Sequence, residues 1–209
     1  MGHDYQSPWF REALEVENKL VINQLNSRET ADICIVGGGY TGLWTALKIK
    51  EKNPSTNIIV IEKDLCGSGA SGRNGGCMIP LSSKFPAMKK IVGTKDAIRM
   101  VKASEEALYE IKRFCENNNI DAKIRINGIV YSSTNNKHRG GFDNLLRDLN
   151  ENNINSWKRF SKENIQKLTG SSRNIDGYFS PIGGSLQPAL LARGLKRIAE
   201  KKGIKIFER

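Results

Sequence analysis

Two short apolar runs, separated by a helical pattern, stand out in the first third of the chain. The runs Ile33–Val36 and Ile58–Ile61 are continuous, which is typical of strands buried on both faces of a parallel sheet. Between them, apolar side chains recur with the spacing of one helix face from Leu43 to Lys50, and Pro54 ends this pattern. We therefore predict a βαβ unit in which Cys34 is a small buried side chain.

Polar and apolar positions further along the chain predict another helix and a hairpin. Residues 94–116 keep an apolar stripe at helical spacing, which consists of Ile98, Val101, Leu108, Ile111 and Cys115. After it, residues 124–126 and 129–131 are β-favouring segments that flank Asn127-Gly128, a dipeptide typical of hairpin turns. We predict that this hairpin begins an antiparallel sheet.

Helix start and stop signals define the remaining elements. Ser7-Pro8 suits an N-cap followed by proline at the first helical position, and Ser161 can cap a short helix. Another helix is predicted to begin near Pro188 and to end at Gly203. Residues 204–207 then begin a further strand.

The glycine-rich turn after the first apolar run has the spacing of a dinucleotide-binding fingerprint. Gly37 allows a tight turn out of the strand, Gly39 allows the backbone to approach a pyrophosphate, and Gly42 allows the helix to pack closely on the sheet. The helix N-terminus offers N–H groups and a positive dipole end to the phosphates. Glu62, at the end of the second run, is placed to accept hydrogen bonds from ribose hydroxyls, and its charge disfavours a 2′-phosphate. The motif predicts a site for NAD or FAD rather than NADP.

A second glycine-rich segment, KDLCGSGASGRNGG at residues 63–76, follows this acid directly. Its small residues would let backbone amides pack against a long, flat ligand, and Arg73 can neutralise phosphate charge. Ser71 and Asn74 add hydrogen-bonding groups. A simple NAD domain would normally continue into a short loop and a crossover helix, so this segment favours FAD. The alternative interpretation is a flexible surface loop.

Composition and charge exclude several other classes of protein. The 209-residue chain is 38% hydrophobic and 26% charged, which is typical of a soluble globular protein. Its net charge of +11 is spread along the chain with acids interleaved, which disfavours nucleic-acid binding. The apolar runs are too short to span a bilayer, and the first residues, MGHDYQSPWFREALEVE, lack the apolar core of a secretory signal. We expect a cytoplasmic protein that does not bind membranes.

Cysteine and histidine spacing predicts neither a metal site nor a disulfide. No C-x-x-C pair occurs, and both histidines lie far in sequence from the cysteines. The residues concerned are Cys34, Cys66, Cys77, Cys115, His3 and His138.

Three segments together resemble the D-amino-acid-oxidase-like group of FAD oxidoreductases, which includes glycine oxidase, sarcosine oxidase and γ-glutamylputrescine oxidase. These segments are IVGGGYTGLWTALKI, VIEKDLCGSGASGRNGG and GGSLQPALLARGLKRIAEKKGIKIFE. Within that group, SPWFREAL, LCGSGASGRNGG and IKRFCENNNID resemble the aminophosphonate oxidoreductase-like subgroup. The resemblance extends from about Ser7 to Arg209.

The resemblance implies an FAD site and an activity. It implies FAD as cofactor, and oxidation of the C–N bond of a small amine or amino acid by hydride transfer to the flavin. Glu62 would bind the adenosine ribose, with Lys63 near the adenine edge. The pyrophosphate loop would consist of Gly37, Gly39, Thr41 and Gly42. The passage from pyrophosphate to flavin would be lined by Gly69, Ala70, Ser71, Arg73, Asn74, Gly75 and Gly76.

The resemblance also implies a fold class: a Rossmann-like α/β FAD-binding domain with the beginning of an antiparallel α+β sheet on the substrate side. Residues 1–30 would form an N-terminal arm and linker, and residues 31–93 the βαβ unit and the glycine-rich loop. Residues 94–180 would be helical and begin the substrate-side sheet. Residues 181–209 would return to the FAD-binding domain, which stops unfinished.

The resemblance leaves the catalytic residues unassigned, because the family supplies them mainly from later in its sequence. We expect the chain to be an N-terminal portion, or to need a second polypeptide that carries the C-terminal half. The sequence is also compatible with two alternatives. One is a non-catalytic dinucleotide-binding fragment or subunit, and the other, less favoured, is a NAD-dependent dehydrogenase.

Overall fold

A parallel sheet contains both apolar runs identified in the sequence. In the computed structural model, which describes residues 7–17 and 20–209, strands β1 (Ile33–Val36) and β2 (Ile58–Glu62) pair in parallel. Helix α2 (Tyr40–Lys52) connects them, and strand β8 (Lys205–Glu208) pairs in parallel on the other side of β2. The sheet order is β1-β2-β8. The predicted βαβ unit and the predicted last strand are therefore confirmed.

The prediction that both apolar runs are buried on both faces is right for β2 and wrong for β1. In β2 the first three residues are buried, whereas in β1 Cys34 is exposed and Val36 is 86% exposed. The difference arises because β2 is the central strand of this sheet and β1 is a terminal one. Only the face of β1 that carries Ile35 lies against α2, and the opposite face carries Cys34 and Val36.

The core around this sheet depends on two further helices, α1 (Pro8–Val16) and α6 (Pro188–Lys201). Ser7 caps α1 by accepting a hydrogen bond from the Phe10 N–H at 3.1 Å, as predicted. Helix α6 begins at Pro188, as predicted, and most of its residues are buried. One apolar cluster of this core consists of Phe10, Ala13, Leu65 and Ala189.

A long helix, α3, extends over Phe85–Asn117 and includes the predicted helix at 94–116. It begins earlier than predicted and is interrupted at Gly93, where φ is +80° and ψ is 164°. Val101, Leu108 and Cys115 of the predicted stripe are buried.

A three-stranded antiparallel sheet has the order β4-β6-β5, with β4 at Ile129–Ser133, β5 at Lys158–Phe160 and β6 at Asp176–Ser180. Helices α4 (Asp143–Glu151) and α5 (Lys162–Thr169) lie between these strands in sequence, and Ser161 caps α5 as predicted. A two-stranded sheet pairs β3 (Cys77–Met78) with β7 (Gly184–Ser185). An apolar cluster around Phe85, Trp157 and Tyr178 forms the core here.

The predicted hairpin around Asn127-Gly128 is wrong, although the antiparallel sheet exists. Strand β4 pairs with β6, whereas Arg125 forms a bridge with Ser185 and the Gly128 N–H donates to the Gly183 carbonyl at 2.9 Å. The backbone groups on both sides of the turn therefore bond to residues far along the chain. The β-favouring pattern therefore predicts β4 itself, whereas the partner of β4 is β6 and not the segment before the turn.

The chain divides into two compact units. The first comprises Phe114–Ile124, Leu186–Arg209 and the described residues up to Gly76, and the second comprises Cys77–Arg113 and Arg125–Ser185. The N-terminal arm predicted for residues 1–30 falls in part on residues 1–6 and 18–19, including His3, which lie outside the described residues. No helix in the described ranges is long and apolar enough to cross a membrane.

Candidate functional site

The glycine loop between β1 and α2 has the geometry that its spacing predicts. Gly37 adopts φ +107°, and its N–H donates to the Ile61 carbonyl at 2.8 Å. A Cβ added at Gly42 would lie 2.1 Å from the Gly37 carbonyl oxygen and 3.2 Å from Ile35 Cγ2. A side chain at Gly42 would therefore separate α2 from the strand. The turn role of Gly37 and the packing role of Gly42 are confirmed.

Glu62 joins the glycine loop to the residues that follow β2. Its Oε2 accepts a hydrogen bond from the Gly38 N–H at 2.8 Å, and its Oε1 accepts one from the Asp64 N–H at 3.0 Å. Each carboxylate oxygen has a second acceptor position. Glu62 can therefore hold the loop and still accept hydrogen bonds from ligand hydroxyls.

The N-terminus of α2 is capped from the second glycine-rich segment. Gly39, the N-cap residue, has no side chain, and Ser71 Oγ instead accepts from the Tyr40 N–H at 2.9 Å. A Cβ at Gly39 would lie 2.9 Å from Ser71 Oγ, so glycine permits this close approach. Thr41 is exposed in the first turn, where backbone N–H groups lack acceptors within the helix. The first turn of α2 thus keeps donors for an anionic ligand.

The second glycine-rich segment folds on itself through side-chain hydrogen bonds. Asn74 Nδ2 donates to the carbonyls of Ala70 and Ser71, and its Oδ1 accepts from the Gly76 N–H at 2.8 Å. Arg73 Nε donates to the Ser68 carbonyl at 2.6 Å. Asn74 therefore maintains the shape of the segment, which includes a short 3₁₀ turn at Ala70–Gly72.

A cavity of about 420 Å³ lies between the glycine loop and this segment. Its lining includes seven of the predicted residues, namely Gly39, Glu62, Lys63, Gly69, Ala70, Ser71 and Arg73. It also includes three that were not predicted: Asp64, Gly67 and Ser68. The other predicted residues, Gly37, Thr41, Gly42, Asn74, Gly75 and Gly76, are not in its lining.

Three further residues shape the site and were not predicted to do so. Gly67 adopts φ +85°, and its N–H donates to the Gly38 carbonyl at 3.0 Å. Ser7 Oγ donates to the Gly72 carbonyl at 2.6 Å, in addition to its role as a helix cap. Tyr40 Oη donates to the Pro188 carbonyl at 2.7 Å, and burial raises the pKa of Tyr40 to about 12. Gly67 could have been found from sequence, as could Asp64 and Ser68 of the lining, because all three lie inside the predicted glycine-rich segment.

The charges around the cavity have both signs. Lys63 and Arg73 are in its lining together with Glu62 and Asp64. Arg209 Nε lies 3.3 Å from Asp64 Oδ1, and both side chains are partly exposed. The two lining cations can attract phosphate groups, whereas Glu62 can accept from hydroxyl groups.

The second unit contains an aromatic cluster on its antiparallel sheet. The Tyr131 ring lies 4.3 Å from that of Phe142 and 5.5 Å from that of Trp157. Arg159 ion-pairs with Asp143 and Asp176 at 3.1 and 3.2 Å. Because its charge is neutralised by two carboxylates, Arg159 is a poor candidate for binding a substrate carboxylate. These contacts join the strands and helices of the antiparallel sheet.

Cysteine positions and acidic clusters give no sign of a metal site in the described residues. Each of the four cysteines carries a thiol; Cys34 and Cys77 are exposed, and Cys66 and Cys115 are buried. The prediction of a buried Cys34 is wrong, because β1 is a terminal strand. Across residues 7–17 and 20–209, no group of three or more histidine, cysteine, aspartate or glutamate side chains could hold a metal ion.

Known proteins match the chain over most of its length. It is 30% identical over 198 residues to gamma-glutamylputrescine oxidoreductase of Escherichia coli (strain K12), a match that covers 88% of this chain and 43% of that protein. It is 25% identical over 170 residues to L-2-hydroxyglutarate dehydrogenase of Indibacter alkaliphilus, covering 81% of this chain and 39% of that protein. The chain therefore spans less than half the length of these relatives.

Solved structures share the fold. Glycine oxidase from Bacillus cereus superposes with a TM-score of 0.64 at 16% identity, covering 86% of this chain and 46% of that one. L-amino acid deaminase from Proteus vulgaris superposes with a TM-score of 0.70 at 19% identity, covering 90% of this chain and 42% of that one. The sequence profile of the FAD dependent oxidoreductase family, DAO, matches residues 32–209. The chain therefore belongs to the DAO family of FAD dependent oxidoreductases.

Proposed function

We propose that the chain binds FAD in the cavity between the glycine loop and the second glycine-rich segment, as part of an oxidoreductase that acts on an amine or amino acid. The observation that carries the proposal is the arrangement of this cavity. Glu62, Gly39 and Ser71 all line it, and Ser71 Oγ accepts from the Tyr40 N–H at the N-terminus of α2. This arrangement offers acceptors for ribose hydroxyls and donors for a pyrophosphate.

The residues present fit the adenosine diphosphate part of FAD. The cavity volume of about 420 Å³ lies within the range of about 300–1,000 Å³ that is usual for small-molecule sites. Glu62 would hold the ribose, and Lys63 would lie near the adenine. The first turn of α2, with Ser71 and Arg73, would hold the pyrophosphate. Glycine at position 39 leaves the backbone accessible, because no side chain projects from the N-cap.

Bound FAD would supply the electron acceptor, taking a hydride from the carbon that bears the substrate amine. The residues of this chain bind and orient the cofactor, and none is assigned a proton-transfer role. We favour an amine or amino acid as substrate, because the names of three similar proteins refer to such compounds. These are gamma-glutamylputrescine oxidoreductase, glycine oxidase and L-amino acid deaminase. L-2-hydroxyglutarate dehydrogenase, at lower identity, makes a 2-hydroxy acid the competing class.

We also propose that further polypeptide, either a continuation or a second chain, completes the enzyme. Strand β1 supports this, because it ends the parallel sheet and leaves Val36 86% exposed and Cys34 exposed. An exposed apolar strand of this kind usually has a partner. The alternative of a dinucleotide-binding subunit without its own catalysis fits the same observation and needs the same second component.

Ligand titration tests the cofactor proposal. Purified chain is titrated by calorimetry with FAD, FMN, NAD and ADP. We expect FAD to bind more tightly than NAD, and ADP to compete with FAD, because the cavity recognises adenosine diphosphate. FMN, which lacks the adenosine, is expected to bind weakly. Tighter binding of NAD than of FAD would contradict the proposal and favour a NAD-dependent dehydrogenase.

A further inference from the structure

A cluster of buried charged side chains contacts the turn at residues 65–67, which follows β2. Glu208, in β8, is 1% exposed, and Arg193, in α6, is 3% exposed. Arg193 Nη1 lies 3.1 Å from Glu208 Oε1, and its Nε and Nη2 lie 2.7 and 2.8 Å from the two oxygens of Glu17. Lys196 Nζ lies 3.4 Å from Glu208 Oε2. Lys196 Nζ also lies 3.1 Å from Glu200 Oε1. Two cations thus face three carboxylates, as expected where unpaired buried charge is costly.

This cluster holds both backbone polar groups of Cys66. The Cys66 N–H donates to Glu208 Oε1 at 2.6 Å, and the Cys66 carbonyl accepts from Arg193 Nη1 at 3.2 Å. Within the described part of the chain, Glu208 Oε2 accepts no hydrogen bond. The carboxylate is therefore oriented by Cys66 and Arg193 through its other oxygen.

Cys66 in turn contacts the glycine loop. A Cβ added at Gly38 would lie 2.3 Å from Cys66 Sγ, so the two residues are in close contact. The Gly67 N–H donates to the Gly38 carbonyl, and Gly67 lines the cavity. A shift of the turn at 65–67 would therefore move a cavity wall and remove a support of the glycine loop at once.

We propose that Glu208 and Arg193 are positioning residues for the cofactor site, acting through the backbone of Cys66. The consequence for FAD binding rests on the proposed function, whereas the hold on the turn does not. Neither residue lines the cavity, and both come from the last elements of the chain. The cluster thereby links β8 and α6 to the shape of a site built from β1, α2 and β2.

Thiol labelling tests the hold on the turn without any cofactor. Burial and the Glu208 carboxylate raise the pKa of the Cys66 thiol, so Cys66 reacts with iodoacetamide only when the turn opens. Cys115 is also buried and reports unfolding of the helix that carries it. Peptide mass spectrometry of the labelled 209-residue chain gives both rates, and their ratio separates local opening from global unfolding.

Three variants are compared with the wild-type chain. Glu208→Leu and Glu208→Gln both remove the charge that raises the pKa of the Cys66 thiol, but only Glu208→Leu also removes the acceptor of the Cys66 N–H. We expect the ratio of Cys66 to Cys115 labelling in Glu208→Leu to exceed that in Glu208→Gln roughly tenfold to hundredfold. Glu208→Gln keeps an acceptor oxygen, so the change in its ratio from wild type reports the loss of the charge without the loss of the acceptor. Glu29→Gln is the matched control. Glu29 forms a partly exposed ion pair, 2.8 Å long, with Lys205, which lies in β8 together with Glu208. The labelling ratio of this control should equal that of wild type.

FAD titration of the same variants completes the test. We expect Glu208→Leu to bind FAD at least about tenfold more weakly than Glu29→Gln. Equal labelling ratios in Glu208→Leu and Glu208→Gln would overturn the proposal. Equal labelling of Cys66 and Cys115 in both Glu208 variants, which means that the whole chain unfolds, would also overturn it. A raised ratio with unchanged FAD affinity would also overturn it. If wild type binds no FAD, the proposed function fails, and the labelling ratio alone decides whether the cluster holds the turn.

Discussion

Replacing Glu62 with glutamine removes the negative charge at the end of β2 and keeps the length of the side chain. In the wild-type chain, Glu62 Oε2 accepts from the Gly38 N–H at 2.8 Å and Oε1 accepts from the Asp64 N–H at 3.0 Å. Glutamine offers one oxygen and one NH₂ group, so it can accept only one of these two N–H groups in the same geometry. The substitution therefore weakens both the support of the glycine loop and the proposed ribose contact.

The expected loss of FAD affinity follows from the hydrogen bonds involved. A hydrogen bond to a charged group contributes about 1.5–3 kcal/mol. Glu62 is only half-buried, so solvent screens part of this, and the lower value is appropriate. Loss of one ribose hydrogen bond at about 1.5 kcal/mol weakens FAD binding roughly tenfold. Loosening of the loop at Gly38 adds to this loss, so we expect the Kd for FAD to increase about tenfold or more.

Calorimetric titration with FAD measures the effect, and Asp32→Asn is the matched control. Asp32 Oδ2 accepts from the Asn57 N–H at 2.8 Å, near the N-terminal ends of β1 and β2, whereas Glu62 lies at the C-terminal end of β2. Both variants exchange a carboxylate that binds a backbone N–H for an amide, but only Glu62 lines the cavity. We expect Asp32→Asn to bind FAD as wild type does. Unchanged affinity in folded Glu62→Gln, or an equal loss in Asp32→Asn, would refute the assignment of Glu62 to the ribose.

Three further predictions address packing, competence and acid stability. Gly42→Ala should destabilise the chain by about 1–3 kcal/mol in denaturant titration, because its Cβ would lie 2.1 Å from the Gly37 carbonyl oxygen. A Cβ at Gly69 would have no other atom within 4 Å, so the control Gly69→Ala should not destabilise the chain. The 209-residue chain with FAD, mixed anaerobically with amines and 2-hydroxy acids, should show no bleaching of the flavin band; bleaching by any of them would show that it acts without further polypeptide. Burial by itself would raise the pKa of Asp176, but hydrogen bonds from the Gly140 N–H and Arg159 lower it. Ionised Asp176 therefore stabilises the fold above the unfolded pKa of about 3.9, and this stabilisation is lost as pH falls. Thermal unfolding of Asp176→Asn should therefore depend less on pH below about 4 than that of wild type.

Part of the site could be predicted from sequence because the relevant residues lie close together along the chain. The glycine loop and Glu62 belong to one βαβ unit, whose spacing dictates where a turn, a helix N-terminus and an acid meet. Lys63 and Arg73 follow in the same segment and do line the cavity. Asn74 stays a predicted residue of the passage to the flavin, and its amide bonds to backbone groups of Ala70, Ser71 and Gly76. These hydrogen bonds within the glycine-rich segment have no signal in the sequence pattern.

The sequence by itself determined the local elements of this protein. Helix caps at Ser7 and Ser161, the start of α6 at Pro188, and the alternation of β1, α2 and β2 all appear where the pattern predicted them. Each of these features depends on residues within a few positions of one another, because capping, fixed φ angles and helical periodicity act over one or two turns.

Only the tertiary structure decided which elements meet. The exposure of Val36 follows from the position of β1 at the end of the sheet, and the turn at Gly128 bonds to Gly183 instead of closing a hairpin. The hold of Arg193 and Glu208 on Cys66 joins parts of the chain that lie far apart in sequence. Strand partners and buried ion pairs are contacts between segments that are distant in sequence. A local pattern of polar and apolar residues does not determine which distant segments come into contact.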